Sequence, residues 1–275
     1  MIDPALIGNP LKRRLQSHGV ATMMSLRQLR TPEAAMIVRS CGFDGFYVDR
    51  EHGMYSDGET AALCSAGLMM GLMPAVRVRA NTPAEIAGAL DAGALAVIVP
   101  HVGGPGDAER AVRSAKFPPR GDRSVAALAP ATRYRAMPLA ESMRLADDIV
   151  MVFAMLETPE GVANAEAIAG IDGIDALMIG PTDLSAALGV PGAVREGPVR
   201  DAYLTAAAAA RKHGKHFVAG GAGGPDAAEM AQHGARIFMG GTDVAYLIAA
   251  AKASAASLRE AAQSGGAAAE NRGRW

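Results

Sequence analysis

The chain has 275 residues, half of them hydrophobic, with 27 Lys and Arg against 28 Asp and Glu. That balance argues against a nucleic acid or an anionic membrane as the main partner. No apolar run reaches the ~18 residues of a membrane span, and no basic-then-apolar leader is read at the N-terminus.

Aromatic residues are scarce and Met is abundant, so the core is expected to be mainly aliphatic. Cys41 and Cys64 have no metal-type spacing and read as free thiols in a reducing cytoplasm. In chain order, short apolar runs then alternate with amphipathic or Ala-rich stretches. The first run, residues 20–25, precedes a helical pattern at 31–41. The second, 46–49, ends in Asp49-Arg50-Glu51-His52 before a helix at 58–70. The third, 74–78, carries Arg77 with Arg79 just beyond, and a helix at 83–92 follows. The fourth, 96–99, runs into His101, and a helix covers 107–115.

Residues 117–148 are the longest departure from this rhythm. Pro118-Pro119-Arg120-Gly121-Asp122-Arg123 reads as loop, and a long loop of this kind is expected to shape a pocket. The fifth run, 150–156, meets Glu157 and a helix at 158–169. The sixth, 176–179, leads into Gly180-Pro181-Thr182-Asp183. A helix at 200–213 precedes the seventh run, 216–219, which opens into Gly220-Gly221-Ala222-Gly223-Gly224. After a helix at 226–233, the eighth run, 236–239, opens into Gly240-Gly241-Thr242-Asp243. An Ala-rich helix is expected over 243–262, and the Gly/Ala-rich tail 263–275 is expected to be disordered.

Thr31, Thr82 and Thr158 each precede a Pro and read as N-caps. Gly42, Gly93, Gly214 and Gly234 read as helix ends. Eight strands alternating with helices predict a parallel sheet. Count and length favour one closed (β/α)8 barrel over 1–262, the size such barrels typically have at ~250 residues. A doubly wound open sheet is the runner-up.

In a barrel, functional groups gather at the C-terminal ends of the strands. That rim would carry Asp49, Glu51, His52, Arg77, His101, Glu157 and Asp183, followed by the glycine-rich turns. Taken singly, Asp49, Glu157 and Asp183 are equally good turn or helix caps. Glu51 reads as a solvated or supporting acid, and either histidine reads as an ordinary polar residue. Arg77 within an apolar strand is harder to dismiss, because a buried guanidinium needs anionic partners. Their joint occurrence on one rim points to a hard divalent cation and a 2-oxo acid chelating it through paired oxygens. Backbone N–H groups after Gly180 are candidates for the substrate carboxylate. Lys12, Lys116, Lys212, Lys215 and Lys252 all lie away from strand C-termini, so metal chemistry is preferred over a Schiff base.

Four segments carry a family resemblance: Gly42-Phe43-Asp44 with Asp49-Arg50-Glu51-His52; Lys116-Phe117-Pro118-Pro119-Arg120-Gly121-Asp122-Arg123; Leu156-Glu157-Thr158; and Ile179-Gly180-Pro181-Thr182-Asp183-Leu184-Ser185. Over roughly residues 24–250 the chain resembles the HpcH/HpaI family of class II pyruvate aldolases. The resemblance implies a metal pair at Glu157 and Asp183, holding Mg2+ or Mn2+, with Co2+ or Zn2+ as alternatives. It implies His52, paired with Asp49, as the group assisting deprotonation through metal-bound water, and Arg77 as the enolate stabiliser. It implies substrate contacts from Gly180, Thr182 and Asp183, and a subunit contact near the site at Asp91. It also implies a homo-oligomer, a hexamer or trimer, whose final helix is swapped between subunits. Met155, Arg50 and Tyr134 depart from residues common in the family and bear on substrate preference. The expected activity is reversible cleavage of a 4-hydroxy-2-oxo acid to pyruvate and an aldehyde. The alternatives are a citrate-lyase-like enzyme acting on CoA thioesters, a phosphosugar-binding barrel, and a barrel that binds 2-oxo acids without turnover.

Overall fold

The computed structural model describes residues 7–126, 128–221 and 223–272; Ala222 of the expected glycine turn and residues 273–275 of the expected tail lie outside them. Eight parallel strands close into one barrel in sequence order. They are β1 Ala21–Leu26, β2 Gly45–Asp49, β3 Met73–Arg77, β4 Ala96–Val99, β5 Met151–Leu156, β6 Ala176–Ile179, β7 His216–Gly220 and β8 Ile237–Thr242. Closure comes from β1 and β8, where Met23 pairs with Met239 and Ser25 with Thr242 across a register shift. The (β/α)8 barrel is therefore the fold, and the open sheet is set aside.

Within each strand the side chains alternate between two cores. In β5, Met151, Phe153 and Met155 point into the barrel, while Val152, Ala154 and Leu156 pack under the helices. The interior is unusually rich in Met: Met23, Met73, Met151, Met155, Met178 and Met239 share it. Unbranched thioether chains fill a tapered interior that few aromatics are available to fill.

The helices are α1 Pro10–Gln16, α2 Glu33–Ser40, α3 Asp57–Met69, α4 Pro83–Asp91, α5 Pro105–Ala115, α6 Leu139–Ile149, α7 Pro159–Ala163, α8 Ala165–Ala169, α9 Pro181–Ala187, α10 Gly197–Lys212, α11 Gly224–Gln232 and α12 Asp243–Arg272. Thr82 and Thr158 cap α4 and α7 through their side chains as expected. Thr31 does not, because α2 starts one residue later, after Pro32, and Thr31 contributes its carbonyl instead. At the other ends, Gly42 and Gly93 take φ of 84° and 104°, values that a Cβ makes costly.

Three elements differ from the sequence expectation. Helix α1 closes the bottom of the barrel with Leu11 and Leu15, while the Asn9 amide donates to Leu95 O and Ile149 O. Within 117–148 lies α6, whose Ser142, Ala146 and Ile149 are buried at helical spacing. That segment joins the end of α5 to the start of β5, so it belongs to the N-terminal rim. Finally, α12 continues as helix to Arg272 rather than ending near 262. Ala267-Ala268-Ala269-Glu270 has the propensity to extend a helix that Gly265 and Gly266 weaken. No helix among the described residues is long and apolar enough to cross a membrane.

Candidate active site

The C-terminal ends of the strands surround a cavity of about 310 Å³. Its base is an ion-pair network built by strand register, since Asp49 of β2 lies opposite Arg77 of β3. Arg77 grips the Asp49 carboxylate with both edges, Nε to Oδ1 at 2.9 Å and Nη2 to Oδ2 at 2.7 Å. Arg27, just after β1, adds Nε to Oδ2 at 2.7 Å. Burial pushes the Asp49 carboxyl up, but the Arg77 guanidinium outweighs it and leaves the group below the usual carboxylate range. Arg77 also faces Glu51, with Nη1 2.8 Å from Oε2, although the contact is not aligned as a hydrogen bond.

The next part of the site is a carboxylate pair bridged by an imidazole. His101 follows β4 with φ of 53°, a left-handed conformation that turns its N–H toward Glu157 Oε1 at 2.7 Å. Its ring places Nδ1 3.1 Å from Glu157 Oε1 and Nε2 3.1 Å from Glu51 Oε1. One ligand atom from each of Glu51, His101 and Glu157 falls within 4.8 Å of the others, a spacing able to hold a metal ion. Glu157 is 2% exposed, and its Oε2 accepts no hydrogen bond. Burial raises the Glu157 carboxyl above its ordinary range. The His101 N–H and ring oppose the shift, and the charges of Glu51 and Asp183 add to it. Gly180 makes room for this carboxylate, because a Cβ there would sit 2.4 Å from Oε2.

A buried acid with an orphan oxygen is costly unless a cation completes it. Four carboxylates around the cavity, Asp49, Glu51, Glu157 and Asp183, face two guanidiniums, Arg27 and Arg77. The excess of two negative charges is that of one divalent cation. Oxygen donors and one imidazole suit Mg2+, Mn2+, Co2+ or Zn2+. The donor set therefore fits a divalent metal.

The structure gathers the expected residues unevenly. His52, Arg77, Glu157, Gly180, Thr182 and Asp183 line the cavity. Asp183 borders Glu157 electrostatically but stands outside the three-residue group. Asp49 meets His52 through the backbone N–H at 3.2 Å rather than through the ring, because its carboxylate is already held by two arginines. Asp91 is at the far end of α4, on the N-terminal rim, where Arg123 Nη2 donates to it at 2.7 Å. None of the described residues of 117–148 lines the cavity, so they do not shape this chain's own site as the expected pocket loop would. Among the departures, Met155 lines the cavity, Arg50 turns away to Asp57, and Tyr134 is exposed on the opposite rim. Among the described residues no lysine lines the cavity. Sequence reasoning undervalued Glu51 and His101 and overlooked Arg27. Arg27 follows the C-terminal end of β1, the position at which strands of a barrel carry the site.

A family model described as HpcH/HpaI aldolase/citrate lyase matches residues 23–250. A 4-hydroxy-4-methyl-2-oxoglutarate aldolase of Hapsidospora irregularis is 33% identical over 209 residues, covering 75% of this chain and 77% of that one. A 4-hydroxy-2-oxo-heptane-1,7-dioate aldolase of Salmonella typhimurium is 34% identical over 183 residues, 66% of this chain and 69% of that one. The crystal structure of an HpcH/HpaI aldolase from Desulfitobacterium hafniense superposes with a TM-score of 0.86 at 27% identity, covering 91% and 96% of the two chains. The chain belongs to the HpcH/HpaI aldolase/citrate lyase family of carbon–carbon lyases.

Proposed function

We propose that this protein is a metal-dependent aldolase that cleaves a 4-hydroxy-2-oxo acid to pyruvate and a carbonyl acceptor, and forms it in reverse. The observation that carries the reading is the buried, unpartnered Oε2 of Glu157 facing the cavity beside Glu51, His101 and Asp183. A divalent cation such as Mg2+ or Mn2+, held by Glu157 and Asp183 with Glu51 and His101 in reach, would supply a Lewis acid at the 2-oxo acid oxygens.

The protein's own groups account for the rest. The backbone N–H of Thr182 at the start of α9 would seat the substrate carboxylate, beside a bare Gly180 whose own N–H is donated to Leu156 O at 3.0 Å. His52 would take the proton of the 4-hydroxyl as the C3–C4 bond breaks, and would return one to the methylene carbon. The electrons of the broken bond pass to the C2 oxygen, where the Arg77 donor left over from Asp49 and Glu51 would stabilise negative charge. The Asp49 carboxylate positions Arg77 and, through the His52 N–H, the turn that carries the base.

A homo-oligomer also belongs to this reading. Beyond its first turn α12 leaves Leu247 and Leu258 each 69% exposed, and an apolar groove runs between α12 and Ile37, Phe43 and Met24. A second copy exchanging α12 would cover these surfaces and would bring another chain's Asp91 region to the cavity. Light scattering of the full chain and of one ending before α12 tests the exchange. For the chemistry, Mn2+ titration and deuterium exchange into pyruvate are compared for the wild type and Glu157→Gln. We expect exchange that chelator abolishes and Mn2+ restores, and a variant roughly 100-fold or more weaker in Mn2+ affinity. Full exchange in chelator, or an unchanged variant, would sink the aldolase reading. Tight pyruvate binding with no exchange would favour a non-catalytic binder.

A further inference from the structure

Arg27 is built into the cavity wall with only its Nε–H, one of five guanidinium donors, engaged. Its backbone is fixed by Asp243 at the start of α12, whose 5% exposed carboxylate accepts from Arg27 N at 3.0 Å, Gln28 N at 2.8 Å and Leu29 N at 2.7 Å. Its Nε is fixed by Asp49 Oδ2 at 2.7 Å. Between these anchors the side chain lines the cavity, 35% exposed, and neither Nη meets an acceptor among the described residues.

The neighbouring arginines behave differently. Arg77 has Nε and Nη2 on Asp49 and Nη1 on Glu51 and Met155 Sδ. Arg79 has both Nη groups engaged, by Glu85 and the Tyr55 carbonyl. Arg195 places Nη2 on the Gly220 carbonyl. A guanidinium binds a carboxylate best through two parallel N–H groups. Arg77 has too few donors left for that grip, whereas Arg27 presents a complete Nη1/Nη2 edge.

Position adds direction. Glu157 follows β5 and Arg27 follows β1, the strand across the eight-stranded barrel. Arg27 therefore faces Glu157 and Gly180 from the opposite wall of the cavity, where the far half of a substrate seated at them by its 2-oxo acid would meet it. We propose that the acceptor half carries a carboxylate of its own, that Arg27 binds it, and that the preferred acceptors are oxo acids or acid semialdehydes rather than uncharged aldehydes. This rests on the aldolase reading and names the substrate class it leaves open.

The test uses the full chain loaded with Mn2+, pyruvate as donor, and matched acceptors: glyoxylate against glycolaldehyde, and succinic semialdehyde against butanal. The wild type is expected to favour the carboxylated member of each pair in kcat/KM. In Arg27→Met that preference should fall about 30-fold, mostly through KM, whatever common loss the broken Asp49 contact imposes on both members, since a charged hydrogen bond is worth about 1.5–3 kcal/mol. Arg27→Lys, which keeps the charge and not the fork, should fall between and serves if the Met variant does not fold. An equal loss on both members would make Arg27 a support for Asp49 alone and overturn the proposal. A wild type that prefers neutral acceptors would overturn it as well. Pyruvate deuterium exchange separates the two levels: exchange without carboxylate preference removes only this proposal, and absence of exchange removes the aldolase reading with it.

Discussion

At the N-terminal rim of the barrel, Lys116 buries its ammonium against two backbone carbonyls, Asp147 O at 2.6 Å and Val150 O at 2.8 Å. At the C-terminal rim, Glu157 buries a carboxylate with one oxygen that nothing in the protein satisfies. Both side chains are 2% exposed. Around Lys116 the pattern repeats: Asn9 donates to Leu95 O and Ile149 O, and Asp44 and Asp175 accept from Thr22 N and Val152 N. Polar side chains there finish the backbone hydrogen bonding of strand starts. Around Glu157, acids face acids, Gly180 is bare, and Arg27 has an unused edge. One rim is nearly complete in itself, with Arg123 Nε the buried donor left over, and the other is complete only with a cation and a ligand. The comparison separates residues that hold the barrel closed from residues that wait for chemistry.

The strongest challenge to this contrast is Asp49→Ala, because Asp49 lines up two arginines on the functional rim and also ties β1, β2 and β3 together. Removing it leaves Arg77 buried beside nothing but Glu51, and we expect a loss of about 3–5 kcal/mol in urea unfolding together with loss of activity. A loss below about 1 kcal/mol would mean that the network is functional only, and would erase the overlap between the rims.

Next in size is Lys116→Met. It strands two carbonyls and should cost about 1–3 kcal/mol, while Mn2+ affinity stays unchanged. Burial lowers the Lys116 ammonium to about 8, so the unfolded chain binds more protons than the folded one between pH 8 and about 10. Stability from this group therefore rises with pH across that window, and the rise should vanish in the variant. Altered metal affinity, or a pH profile that survives the substitution, would count against assigning Lys116 to the structural rim.

The smallest expected effect is a pH dependence of metal binding. The Glu157 carboxyl is raised, so in the metal-free chain its contribution to stability is full below the ordinary carboxylate range and is lost as pH climbs through the raised value. A cation needs the ionised form. Mn2+ affinity, and the melting-temperature gain from Mn2+, should therefore grow from pH 5 to pH 8. A gain that shrinks with rising pH would show that Glu157 does not hold the ion.

Several features were legible before any coordinates. Asp49 ends a short apolar run, Glu157 follows one directly and Asp183 comes four residues after another, and the barrel rule places them on one rim. The helix-end glycines and two of the three Thr caps were equally plain, because caps are local chemistry. His101 was not legible as a site residue. Its role depends on a left-handed backbone and on Glu51 and Glu157 arriving from other strands. The 117–148 segment departs from expectation for a related reason: its length is visible in the sequence, but the rim it occupies follows from which strand it enters.

The alternation of eight apolar runs with helices determined the barrel, because a run with both faces buried needs a parallel neighbour on each side and a helix over its outer face. The same alternation determined which rim carries the acids. Only the tertiary structure decided which charges meet. Register placed Arg77 on Asp49 from β3, and the β1–β2 register placed Arg27 on the same carboxylate from the other side. The physical reason is range: strands and caps are set by contacts a few residues apart, whereas an ion pair between strands joins groups whose separation in sequence carries no trace of their distance in space.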